Sequence, residues 1–522
     1  MSSSGLKVRC LASTTVSERI RQEQDLEREN EPNDEEVDQR RGVERAERDG
    51  ESITLVHGDS LRKDGRESQD NRAPSKSPSP SNSEQHFESS SSSDSETSNS
   101  AASLAGSSPK SSKSHTSCVQ EAQLSPDGTC VFTSDYNRSF SVYPIDSTLH
   151  TEASARALKP YAHFTSSDPI WAFAANPLFN INDANSTHVL VSRRDKYITL
   201  HNALWDLSNP NSDQSSTPIN TPVDIARPIA FYKLINPQNE ALTVPLSLTY
   251  SYTGTHFFAG ARNTIHIFDL TDPSGPIHTI PTIPSVRSKL KGGGRGFKGA
   301  ISALTLSPPT PTSSNGLLAA GARTRHVGIY DPFNGTEITT FSLPGTLDGK
   351  RVYNANMQHV IGDGVSSLKY SPCGTYLYVA ERTSDVLLIY DVRNFSLALG
   401  YCAGRQALTK QKLGFDVWNA GTSPYDIEGT AHELWAGGTD GMVRVWRDPY
   451  VKEGAVEADE VFRVGDGGAA VVGTMVHASG GLAVAACGRI GVGDDGVEGR
   501  RRGGGNLPRF KEWGSVDVLG LS

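Results

Sequence analysis

From residue 118 onward one module recurs, and it limits the fold more than any other feature of the chain. It consists of an apolar alternating strand, a Ser-Pro-x-Gly turn or a relative, and a second strand ending in small residues. A polar turn and a third strand ending in an aromatic residue and aspartate complete it. Residues 118–144, 246–270, 301–331 and 365–393 are the clear copies; 170–202 and 413–448 are weaker, and 469–488 lacks its last strand. Helical periodicity is absent throughout. Such a sheet hides its faces only against copies of itself. The expected fold is therefore all-β, a seven-bladed β-propeller over residues 118–488.

Individual residues have mechanical reasons for their places. Ser125 to Gly128 (SPDG) and Ser371 to Gly374 (SPCG) read as tight turns, with proline presetting one dihedral and glycine accepting a positive φ. Asp440-Gly441 reads as a hairpin turn. Asp269, Asp331 and Asp391 follow Phe268, Tyr330 and Tyr390, the position of the WD dipeptide in WD40-type propellers. The literal Trp205-Asp206 is out of register, since the aligned pair is His201-Asn202. Polar insertions such as 208–222 should be surface loops.

The ends read differently. Residues 1–117 are charged and then Ser-rich, with almost no large apolar residues from Ala73 to Ser117, and are expected to be a disordered tail. Ser77, Ser79 and Ser108 precede proline there and suit phosphorylation, although an inert polar tail fits equally well. Residues 489–522 read as a Gly/Arg-rich C-terminal tail, so the strand that closes the ring must come from before Cys118. Of the net charge of −9, residues 1–116 contribute −6 (16 Lys/Arg against 22 Asp/Glu), which leaves −3 for the rest. A near-neutral folded part is compatible with one basic face. The six cysteines have no C-x-x-C pair or ligand-spaced histidine, so neither a metal nor a disulfide framework is expected. Neither a membrane span nor a secretory signal is evident.

No catalytic constellation emerges, and neither a cofactor nor a small-molecule substrate is expected. Gly294-x-Gly296-x-x-Gly299 matches the dinucleotide fingerprint in letters but precedes a strand, where that motif should follow one and open a helix. The informative pattern is basic. Turns between second and third strands carry Arg193 and Arg194, Arg262, Arg323 and Arg325, and Arg382. The loop entering the fourth module adds Arg287, Lys289, Lys291, Arg295 and Lys298. Equivalent turns of a propeller emerge on one face, so these residues are expected to ring the channel mouth and hold phosphates. Nearby aromatics would stack bases. Solvated turns that happen to use arginine are the plain alternative.

Residues 262–275 (RNTIHIFDLTDPSG), 287–304 with 319–331, and 401–417 (YCAGRQALTKQKLGFDV) resemble the telomerase Cajal body protein family, also called WD-repeat antisense-to-p53 proteins. The resemblance covers about residues 118–448, and the chain looks like a fungal member. It implies a non-enzymatic nuclear scaffold that binds a small structured RNA of small nuclear, small Cajal body or telomerase type, together with ribonucleoprotein partners. Location would be the nucleus, with the cytoplasm also open. A protein-only scaffold in a splicing or chromatin assembly is the alternative.

Overall fold

The structure is a computed structural model. It describes residues 6–15, 117–492 and 510–522, with breaks at 147, 150–153, 207–220, 237–238, 286–295, 311–314, 348–349, 353–358, 420–430 and 466–467. The phosphorylation candidates, most of the expected N-terminal tail and half of the C-terminal one lie outside the described residues.

Seven blades follow one another, each with four antiparallel strands; blades one, five and seven carry a short fifth, parallel strand (Val223–Asp224, Gly454–Val456 and Arg156–Ala157) beyond the fourth. Each runs from an innermost strand at the channel to an outermost strand at the rim, giving the expected seven-bladed propeller. The innermost strands are Val119–Leu124, Ile170–Ala175, Ser247–Tyr250, Ile301–Leu306, Val365–Tyr370, Phe415–Trp418 and Ala470–Val476. The Ser-Pro-x-Gly turns form as read. The Gly128 N–H donates to the Ser125 carbonyl at 2.8 Å and that of Gly374 to Ser371 at 2.9 Å, both glycines having positive φ. Asp269, Asp331, Asp391 and Asn202 each accept a backbone N–H two residues on through the side chain, turning the chain toward the outermost strand. Asn202 rather than Asp206 does this in blade two, in agreement with the aligned pair.

Each seam between adjacent blades has its own apolar cluster. Phe132, Phe140, Phe173 and Val191 fill the seam between blades one and two. Val327, Val365, Leu377 and Tyr390 fill that between four and five, and Tyr378, Phe415, Leu434 and Trp446 that between five and six. No blade is buried without its neighbours, as expected of a repeat array.

Blade seven corrects the reading of both ends. Its second strand is Leu482–Val492, its third is Phe510–Leu521, and its fourth is Val8–Ser13. The last pairs antiparallel with the third from Val8 opposite Leu521 to Ser13 opposite Asp517. Residues 8–13 and 510–521 are therefore strands of the ring, not tail. Leu11, Ala12, Val516 and Val518 pack with Val131, Tyr143 and Val484 across the seam between blades seven and one. Gly488 and Gly514 let blade one's entry lie against this sheet, since a Cβ on either would meet the Val119 or Ser117 carbonyl oxygen at 2.5 or 2.0 Å. The closing strand does come from before Cys118, as expected; its partner was hidden because the two strands lie at opposite ends of the chain and a Gly/Arg run precedes the second.

Candidate nucleic-acid interface

The innermost strands share an irregularity that shapes the channel mouth. In blades one, two, four and five the register shifts across the second residue of the strand, and in blade seven across the third, a β-bulge in each case. The extra residues are Gln120, Trp171, Ser302, Ser366 and Val472. Bulges re-aim side chains, and here Trp171, Gln120 and Ser302 line a cavity of about 790 Å³ at the mouth. Above the bulge, the residue after each second strand ties back to the entry of its own blade. The N–H groups of Tyr136, Arg194, Arg323 and Arg382 donate to the carbonyls of Cys118, Pro169, Ala300 and Gly364 at 2.9–3.0 Å.

The eleven basic residues expected at the mouth divide sharply. Arg262, Arg323 and Arg382 line the cavity. Arg382 is half-buried; its Nη1 donates to the Lys410 carbonyl, and its guanidinium is held below the usual range by burial and by the charge of Arg323. Arg325 is only 3% exposed and is withdrawn from the surface. Its Nε and Nη2 donate to the two Glu381 oxygens at 2.6 and 2.8 Å, and Nη1 and Nη2 reach Thr346 Oγ1 and the Pro344 carbonyl. It is a buried tie between blades four and five. Arg194 is exposed and paired with Asp195 at 3.2 Å, and half-buried Arg193 donates to Thr199 Oγ1 at 3.3 Å. Neither lines the cavity. Lys298 does not line it either: its carbonyl accepts from Thr324 Oγ1. Arg287, Lys289, Lys291 and Arg295 lie outside the described residues. The described end of their loop is fixed by Phe297, fully buried and stacked on His326. Gly296 and Gly299 of the false fingerprint allow close approach to Thr282 and Thr324.

Sequence reasoning missed Lys410, Lys412, Tyr136 and Trp171, which also line the mouth. Tyr136 and Trp171 are 50% and 38% exposed. Aligning the turn after the second strand would have found Tyr136, which stands in blade one where blades four and five have Arg323 and Arg382. The lysines come from the segment leading into blade six. It is held from below by Arg405, fully buried, whose Nη2 donates to the Leu413 and Gly414 carbonyls at 3.0 and 2.8 Å.

The mouth is thus two-sided. Blades three to six supply Arg262, Arg323, Arg382, Lys410 and Lys412, whereas blades one and two supply Tyr136 and Trp171. Among the described residues, Arg262, Arg323, Arg382 and Lys410 have no carboxylate partner; Lys412 is paired with Glu121. Unneutralised cations opposite accessible aromatic faces suit a ligand with phosphates and unstacked bases.

No family model matches the chain. It is 22% identical to the telomerase Cajal body protein 1 of Homo sapiens over 346 residues, 66% of this chain and 52% of that protein. The protein of the same name from Mesocricetus auratus is 22% identical over 63% of this chain and 50% of its own length. A guanine nucleotide-binding protein negative regulator 1 from Schizosaccharomyces pombe is 23% identical over 63% of this chain and 70% of its own. The chain spans about half the length of the telomerase Cajal body proteins that it matches. With its seven blades, the chain is a β-propeller similar in sequence to the telomerase Cajal body proteins.

Proposed function

We propose that the chain is a non-enzymatic scaffold of nuclear ribonucleoproteins which binds a small structured RNA at the channel mouth and presents other surfaces to protein partners. The observation that carries this reading is the set of four cations without carboxylate partners among the described residues on one side of the mouth, opposite Trp171 and Tyr136. Phosphates would lie on the arginines and unpaired bases on the aromatics. The kinship with telomerase Cajal body proteins supports an RNA of small nuclear, small Cajal body or telomerase type and a nuclear location. The test is the Arg262→Glu/Arg323→Glu/Arg382→Glu variant, which should lose small nuclear and box H/ACA-type RNAs in pull-downs while melting close to wild type. Unchanged RNA recovery, with protein partners retained, would leave a protein-only scaffold.

A further inference from the structure

The mouth cavity is the upper of two chambers in the channel. The lower, of about 830 Å³, opens between the turns at Pro126, Pro372 and Ala478. The two share four lining residues, Gln120, Glu121, Ser302 and Lys412, which make the floor between them. Across this floor Lys412 Nζ meets Glu121 Oε1 at 2.8 Å, joining the segment that enters blade six to the first strand of blade one.

The pair differs from the other channel ion pair in how its acid is held. Asp416, which meets Lys369 Nζ, also accepts the N–H groups of Val417 at 3.0 Å and Val476 at 2.9 Å, so the backbone fixes it. Glu121 accepts only Lys412 among the described residues, and it is the one carboxylate lining the mouth. Both partners are accessible from the cavity, with side chains 27% and 19% exposed.

We infer that Glu121 is an internal stand-in for a ligand phosphate: it pairs with the charge of Lys412 until a second, closely spaced phosphate enters the mouth and replaces it. This rests on the RNA reading above and adds the residue that sets its threshold. A ligand with one isolated anionic charge is met by Arg262, Arg323, Arg382 and Lys410 alone. A polynucleotide strand reaching the floor also recruits Lys412, while the Glu121 side chain swings away with no backbone bond to break. The carboxylate disfavours acidic protein segments that lack a strong, dense anion.

The experiment compares wild type, Glu121→Gln, Lys412→Gln and the double variant, using a short fluorescein-labelled oligouridylate over a range of salt concentrations. Glu121→Gln frees Lys412 in advance. Binding then makes the same phosphate contacts without an ion pair to break, so it tightens on the order of 5-fold, as for a partly exposed pair, while the log–log salt slope stays close to that of wild type. Lys412→Gln weakens binding, because Glu121 is left facing the phosphates, and the double variant returns close to wild type. Melting curves check that each variant is folded. If Glu121→Gln destabilises the ring, Glu121→Ser replaces it, with the same expectation. Wild-type binding with no tightening in the glutamate variants overturns the stand-in alone. Absence of binding by every protein overturns both this inference and the RNA reading.

Discussion

Blades five and seven are built to one plan by opposite routes. Blade five takes Val365–Tyr370, Tyr376–Glu381, Leu387–Asp391 and Gly400–Cys402 from one continuous stretch, so each strand pairs with its sequence neighbour. Blade seven takes Ala470–Val476, Leu482–Val492 and Phe510–Leu521 from one end of the chain and Val8–Ser13 from the other. Blade five's pairings carry little loop-closure cost, whereas the outermost antiparallel pairing of blade seven closes nearly the whole chain into a loop. In return, that one pairing joins the last blade to the first and completes the burial of both. The difference shows that stability in a ring depends less on how well formed a blade is than on where its strands originate.

The largest test strikes the long-range pairing. Leu11, 2% exposed, faces Tyr143 and Val131 of blade one and Val516 of blade seven. Leu11→Asp puts a carboxylate there without a partner. It should cost about 5 kcal/mol or more, read as loss of a cooperative melt. A chain lacking residues 1–15 should behave alike and be rescued by a peptide of residues 6–15 added in trans. A truncated chain that melts like the full one would show that this strand does not hold the ring.

A smaller effect is expected at blade five's own seam, where the tie is an ion pair within the contiguous array. The Arg325 and Glu381 side chains are 4% and 1% exposed. Removing one partner strands the other charge in the interior, so Arg325→Met should cost about 3–5 kcal/mol, and Arg325→Met/Glu381→Leu should recover much of that. Two residues away, Arg323→Glu should shift stability by no more than about 0.5 kcal/mol while acting on ligand binding. Equal destabilisation by both substitutions, measured in urea titrations, would contradict the division between buried tie and mouth.

The same contrast explains how much was legible in sequence. Turn residues and alternation are local signals, and they gave the blades from 118 to 488, the register of Asn202 and the loop character of Gly296 to Gly299. They could not give the pairing of VRCLAS with FKEWGSVDVLGL, because neither segment carries a turn signal toward the other. Nor could they separate Arg323 from Arg325. Both lie in one turn, yet Arg325 is drawn into the seam by Glu381 of the next blade while Arg323 stays at the surface. The mouth was found as a basic face but not as a two-sided one, since Trp171 reaches it through a bulge that alternation reads as a plain strand position.

The closing seam also carries a finer mark of its long-range assembly. Asp135 ends the second strand of blade one beside Glu512 of blade seven, with the Cys118 thiol also near. Its carboxyl is raised to about 6, by burial first and then by the Glu512 charge, against the lowering effect of the Ser139 N–H, which donates to it at 2.8 Å. The thiol, pushed up to about 11, stays neutral and supplies no compensating cation. A carboxyl raised in the folded state binds its proton more tightly there than in the unfolded chain. Its stabilising contribution is therefore complete below the unfolded value near 4 and is lost as pH rises through about 6. Asp135→Asn keeps the acceptor for Ser139 and removes the charge beside Glu512. The variant should be more stable than wild type at pH 8, on the order of 1–2 kcal/mol once partial solvent access is allowed for, and no more stable at pH 4. The measurement is the pH dependence of the melting temperature of both proteins. A gain that does not vary with pH would mean that the seam tolerates both carboxylates, and that closure is set by apolar packing around Leu11 alone.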